Sequence, residues 1–156
     1  MRILIVNNSQ EESGLLYRAA GFLGFVSDCV RSGDEAIQCH LQQRNDLILL
    51  SINLPDYDIC STAQAIRQLE RTKIGFTPSL MCGLLTVYDA GIHESCLKNG
   101  MDTCVVEPCS SLEAIDLLES LRKASGRLRH RGTIKKDSSC SGLQVDRRLL
   151  HLKQML

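Results

Sequence analysis

Four polar side chains, at three places far apart in the chain, stand where apolar runs of strand length come to an end. Asn7 and Asn8 follow "RILIV", Ser51 closes "DLILLS", and Glu107 follows "TCVV". A serine nucleophile needs an adjacent base, usually histidine, oriented by an acid. None of His40, His93, His130 and His151 falls at the end of such a run. Ser51 therefore reads as a small polar plug rather than a catalytic group. One carboxylate beside two amides also makes a poor Mg²⁺ site, because that ion demands hard anionic oxygens in a near-octahedral set. The four residues are instead suited to hydrogen-bonding one another, with the Glu107 carboxylate accepting from the Asn amides and the Ser51 hydroxyl.

Cysteine is the other reactive residue type. There are 8, at Cys29, Cys39, Cys60, Cys82, Cys96, Cys104, Cys109 and Cys140. No two form C-x-x-C, and no histidine sits at zinc-finger spacing. They read as small buried apolar residues with free thiols.

The elements that position these residues alternate. Strand-like runs cover residues 2–6, 24–30, 46–51, 77–85 and 103–108. Helical spacing of apolar residues covers 11–22, 33–43, 61–70, 91–99 and 110–123. Ser32 with Glu35, and Ser110 with Glu113, have the spacing of capping boxes. Gly100 is placed to end the fourth helix. Five strands alternating with five helices predict an α/β, doubly wound parallel sheet covered on both faces. Its cleft lies at the strand C-termini, where Asn7, Asn8, Ser51, residues 83–86 and Glu107 fall.

The 156 residues suffice for one domain with a short appendage. The formal net charge is +0, which argues for neither nucleic acid nor membrane as a partner of the whole surface. The apolar runs are far shorter than the roughly 20 residues that span a bilayer, and the start has no signal-peptide character. A cytoplasmic protein is expected. Beyond Lys123 the chain turns basic and then Ser/Gly-rich, so 125–142 reads as a linker. Residues 143–156 regain apolar character, as two hairpin strands or the beginning of a helix.

Residues 1–124 resemble the receiver domain of two-component response regulators, the CheY-like fold. The resemblance rests on "RILIVNNS", on "DLILLSINLPDYD" and on "NGMDTCVVEPCS". It implies a sheet of order 2-1-3-4-5. In that family, two acids after strand one and an Asp ending strand three hold Mg²⁺, and a histidine kinase phosphorylates that Asp. A Ser/Thr ending strand four and a Lys ending strand five bind the phosphate. Here Asn7 and Asn8 stand at the acid pair, Ser51 at the phosphoacceptor, Glu107 at the lysine and Cys104 at an aromatic switch position. Counting forward from Pro78 puts Gly83 at the Ser/Thr position. Counting back from Glu107 puts Leu85 there, beside Thr86. Once the acids are gone, a buried lysine would lose its partners and a glutamate can replace it. The resemblance therefore implies a degenerate phosphorylation pocket, with no metal or cofactor and little for a histidine kinase to act on.

In the OmpR/PhoB-type branch, a dimer forms through helix four, strand five and helix five by charge pairs. His93, Asp102 and Glu113 match members of that face, and Leu117 is one of its apolar positions here. "GLQVDRRLLHL" resembles the opening hairpin of the winged-helix DNA-binding domain of that branch. The expectation is an atypical, phosphorylation-independent receiver that dimerises and reaches DNA only through a more complete effector domain. The alternative is a stand-alone pseudo-receiver acting by protein contacts; a phosphotransfer relay or an enzyme ranks last.

Overall fold

The computed structural model describes residues 1–56 and 58–130. Near-continuous apolar runs form β1 (Arg2–Val6), β3 (Leu47–Ser51), β4 (Leu80–Leu85) and β5 (Thr103–Val106), while the half-polar β2 (Val26–Val30) lies at an edge. The connecting helices are α1 (Gln10–Phe22), α2 (Gly33–Gln42), α3 (Ile59–Thr72), α4 (Ala90–Lys98) and α5 (Ser111–His130). Every ladder is parallel, and the strand order is β2-β1-β3-β4-β5, the CheY-like order expected from the sequence. All five residues of central β3 are buried because helices cover both faces of the sheet.

Strand alternation sorts the core into two layers. Ile3, Ile5, Leu47, Leu49, Cys82, Leu84 and Val105 pack with α1 and α5 residues such as Leu16, Ala20, Leu117 and Leu118. Leu4, Val6, Ile48, Leu50, Met81, Leu85 and Cys104 pack with Ala36, Ile59, Ala63, Ile66 and Cys96 of α2, α3 and α4. Asn7, Ser51 and Glu107 continue the first set by one alternation each, so all three face the α1–α5 side as the strands end.

The helix starts follow their caps. The Ser32 hydroxyl accepts from Glu35 N–H, and the Ser110 hydroxyl accepts from Glu113 N–H. In both cases the glutamate carboxylate reaches one residue past the cap, to the N–H of Arg31 and of Cys109. α3 begins two residues earlier than the apolar spacing suggests, because the Asp58 carboxylate accepts from Ser61 N–H. β4 begins only at Leu80. Pro78 has no N–H to pair, and the carbonyls of Thr77 and Pro78 accept from the Arg44 guanidinium. Gly100 follows α4 with φ 103, a conformation that glycine adopts at little cost. α5 runs to His130, so the first residues of the expected linker are helical, and Ser125 is buried. The rest of that linker and the 143–156 stretch lie outside the described residues.

A polar cluster closes the sheet at the N-terminal ends of β3 and β4. His40 and Glu70 are 0% and 5% exposed, and His40 Nε2 lies 3.1 Å from Glu70 Oε1. Asn45 N–H donates to His40 Nδ1, so the ring proton sits on Nε2 and donates to Glu70. Glu70 also accepts from the Ser79 N–H and hydroxyl and from Arg67 Nη1. Arg67 Nη2 continues to Asp102 at 2.8 Å, and Asp102 accepts from Met81 N–H. Burial pushes the Asp102 carboxyl up, with Arg67 pulling the other way.

Candidate functional site

At the opposite end of the sheet, three of the four polar strand-end residues meet. Asn7, Ser51 and Glu107 are all buried, the first two almost completely. The Ser51 hydroxyl donates to Glu107 Oε1 at 3.0 Å, and Asn7 Nδ2 approaches the same oxygen at 3.4 Å. Asn7 Nδ2 also donates to Glu12 Oε2 at 2.8 Å, while Asn7 Oδ1 accepts from Ser9 N–H. Ser51 Oγ accepts from Asn53 N–H at 3.2 Å. Each donor and acceptor of Asn7 and Ser51 is thereby engaged. A buried carboxylate that accepts from a hydroxyl and an amide has part of its burial cost offset by those hydrogen bonds.

Asn8 does not join this cluster; it is exposed, one residue past the alternation that turns Asn7 inward. Gly83 is not brought to it either. It lies inside β4 opposite Leu50 and Cys104, on the α3–α4 face, and a one-residue step along a strand reverses the face. The β4-side hydroxyl at the pocket rim belongs to Thr86, which shares the parity of Leu84 and accepts from Asn53 Nδ2 at 3.3 Å. Cys104, the residue expected at an aromatic switch position, is fully buried against Gly83. A Cβ on Gly83 would sit 2.7 Å from Cys104 Sγ and 3.1 Å from Met101 Sδ. Gly83→Ala is therefore expected to cost about 1–3 kcal/mol through overpacking. Urea denaturation should show that loss, and part of it should return in the double variant with Cys104→Ala.

Of the other predicted residues, Asp102 is tied to Arg67 and Glu113 to the Cys109 N–H, so both serve the domain itself. His93 packs edge-on against Tyr88 with ring centroids 5.8 Å apart. Leu117 is a core residue of the α1–α5 layer and not part of an exposed apolar face, which corrects its placement in a dimer interface. Sequence reasoning missed Glu12 and Asn53, and named Thr86 only as the neighbour of Leu85. Asn53 and Thr86 each stand two residues past an inward strand residue, Ser51 and Leu84, and that spacing was the available signal. A cleft of about 330 Å³ beside Asn7 is lined by Gln10, Ser13, Tyr17, Cys29 and Arg31, and its lining includes neither Ser51 nor Glu107. Among the described residues, no group of three or more His, Cys, Asp or Glu is placed to hold a metal, and no helix is long and apolar enough to cross a membrane.

The fold is that of a CheY-like receiver domain. The structure superimposes on a two-component response regulator from Clostridium difficile with a TM-score of 0.70 at 22% identity, covering 85% of this chain and 99% of that one. It matches a CheY-like receiver domain protein from Methanospirillum hungatei with a TM-score of 0.69 at 18% identity, over 84% and 98% of the two chains. In sequence, the chain is 30% identical over 110 residues to the sensor histidine kinase RcsC of Escherichia coli K12, covering 69% of this chain and 11% of that protein. It is 28% identical over 128 residues to the transcriptional activator protein IrlR of Burkholderia pseudomallei, covering 81% of this chain and 53% of that protein. The chain thus corresponds to a small part of the first relative and to about half of the second. No family model matches it.

Proposed function

We propose that this chain is an atypical receiver module of two-component-type signalling that works without phosphorylation. The observation that carries the reading is the Glu107 carboxylate, hydrogen-bonded by Ser51 and Asn7 where a receiver holds its phosphate-binding lysine. A phosphoryl group there would face a buried anion rather than a cation, and like charges at such range repel. Ser51 is a poor phosphoacceptor, since it offers a neutral hydroxyl where the resemblance implies an ionised aspartate. The donor set does not suit Mg²⁺: Asn7 Oδ1 is occupied by Ser9 N–H, and Ser51 offers a neutral oxygen. No step through a metal follows.

Such a module acts by the surfaces it presents. Similarity to a transcriptional activator favours coupling to a DNA-binding effector over a stand-alone protein-binding role. A homodimer through α4, β5 and α5 and a cytoplasmic location belong to the same reading. The electrostatic part of that dimer is weak, because Asp102 and Glu113 already have partners within the domain. The test is incubation with acetyl phosphate and Mg²⁺, and separately with BeF₃⁻ and Mg²⁺. Intact mass is expected to stay unchanged and the melting temperature to stay put. A Mg²⁺-dependent phospho-adduct, or a clear thermal shift with BeF₃⁻, would show that the pocket still takes phosphate.

A further inference from the structure

The cleft of about 330 Å³ between α1 and the edge strand β2 is lined by a guanidinium and by no carboxylate. Cys29 pairs with Ile5 in the ladder and so faces α1, and Arg31 follows it with the same parity. Arg31 is exposed, and its guanidinium forms no ion pair with any of the described residues. Glu35 of α2 reaches its backbone N–H instead. On the α1 side, Gln10, Gly14 and Tyr17 stand at i, i+4 and i+7, which is one face of a helix. Tyr17 is 53% exposed, a large ring that the core does not use.

Gly14 opens this space, and the fold does not require a glycine there. Inside a helix glycine is among the poorest helix formers. Its φ is not positive, and a Cβ would meet only Arg18 Nη1, at 3.5 Å, an ordinary contact. That same contact places a second guanidinium beside Gly14.

We propose that this cleft binds a small aromatic carboxylic acid, with its ring against Tyr17 and its carboxylate on Arg31. A guanidinium offers a planar fork that a carboxylate accepts from through both oxygens. Tyr17 presents an aromatic face on which a second ring packs. The Gln10 amide is a further donor on the same side. A volume of this size holds a small molecule, and mixed carbon and polar lining is what orients one. A bare anion would leave Tyr17 unused, and a neutral hydrocarbon would leave Arg31 unused. The lining includes neither Ser51 nor Glu107, and Asn7, which borders it, keeps its amide on Glu12 and Glu107. The cleft therefore stands whether or not the pocket beside it takes phosphate.

The experiment titrates the full chain with benzoate, and separately with benzamide and acetate, and follows backbone amide shifts by NMR. Benzoate is expected to give saturable shifts centred on residues 10–17 and 29–31. Benzamide, which lacks the charge, and acetate, which lacks the ring, should each bind at least about tenfold more weakly. Arg31→Gln, at an exposed position, should weaken benzoate by about tenfold or more with the melting temperature unchanged. Gly14→Leu fills the cleft and should abolish the shifts while the melting temperature holds or rises, since leucine is the better helix former. If Gly14→Leu fails to fold, Arg31→Gln decides the question. The proposal is overturned if millimolar benzoate gives no saturable shift at these residues. It is equally overturned if benzamide or acetate binds as well as benzoate, or if either folded variant binds benzoate as the parent does.

Discussion

Replacing Glu70 by alanine is expected to destabilise the domain by about 3–5 kcal/mol, the usual cost of removing one partner from a buried ionic cluster. Glu70 is 5% exposed and receives hydrogen bonds from His40, Ser79 and Arg67. Its loss leaves the Ser79 N–H and hydroxyl and the His40 Nε2–H without an acceptor, and it takes one carboxylate from Arg67. The pH dependence gives the sharper signature. Burial acts to raise the Glu70 pKa, but hydrogen bonds from His40 and Ser79 and the charge of Arg67 outweigh it, lowering the pKa from 4.5 to about 2. A depressed acid contributes its stability in full above 4.5 and loses it as pH falls towards about 2. The stability gap between the parent and Glu70→Ala should therefore be constant near neutrality and narrow across that acid window. Urea titrations at several pH values measure it. A gap under ~1 kcal/mol at neutral pH would mean that the cluster contributes no more than surface ion pairs do.

The second large effect concerns Ser51→Asp, the substitution that restores a phosphoacceptor. It places a carboxylate where the Ser51 hydroxyl now donates to Glu107 at 3.0 Å. Two buried carboxylates at that separation cannot both ionise freely, and one takes a strongly raised pKa. The expected penalty is about 4–5 kcal/mol at neutral pH, the Coulomb term for like charges 3–4 Å apart at an effective dielectric near 20. An acid raised in the folded state is destabilising above its folded pKa, so stability should recover as pH falls through the acid range. Adding Glu107→Lys should turn repulsion into attraction and recover most of the loss. Ser51→Asp alone should also remain unphosphorylated by acetyl phosphate, since Glu107 and Asn7 persist. A stable, phosphorylatable single variant would refute the idea that these positions changed as a set.

The sheet was legible because its strands are near-continuous apolar runs separated by helical spacing, a combination that few folds other than a covered parallel sheet satisfy. Ends were less legible where something other than periodicity set them. Arg44 takes the carbonyls that would have extended β4, and Asp58 starts α3 before its apolar stripe is evident. The contact of Ser51 and Asn7 with Glu107 could be anticipated because all three end strands with the same parity. Asn8 and Gly83 failed on that same rule, each standing one step out of phase. The lower cluster was not anticipated, since its members come from α2, α3 and the starts of β3 and β4. Its trace in the sequence is a charge on an apolar stripe: Glu70 continues the row Ile59, Ala63, Ile66 of α3.

That cluster also fixes the chemistry of one ring. Asn45 N–H donates to His40 Nδ1, and the Nε2 proton points at Glu70 with the edge of Phe76 alongside. Such a proton has no route to solvent unless α2, α3 and the strand starts part from one another. In a proton NMR spectrum it should give a resolved downfield imidazole signal that persists where exposed ring protons are lost to exchange. Its exchange lifetime then becomes a clock for the opening of the lower half of the domain, read without any label.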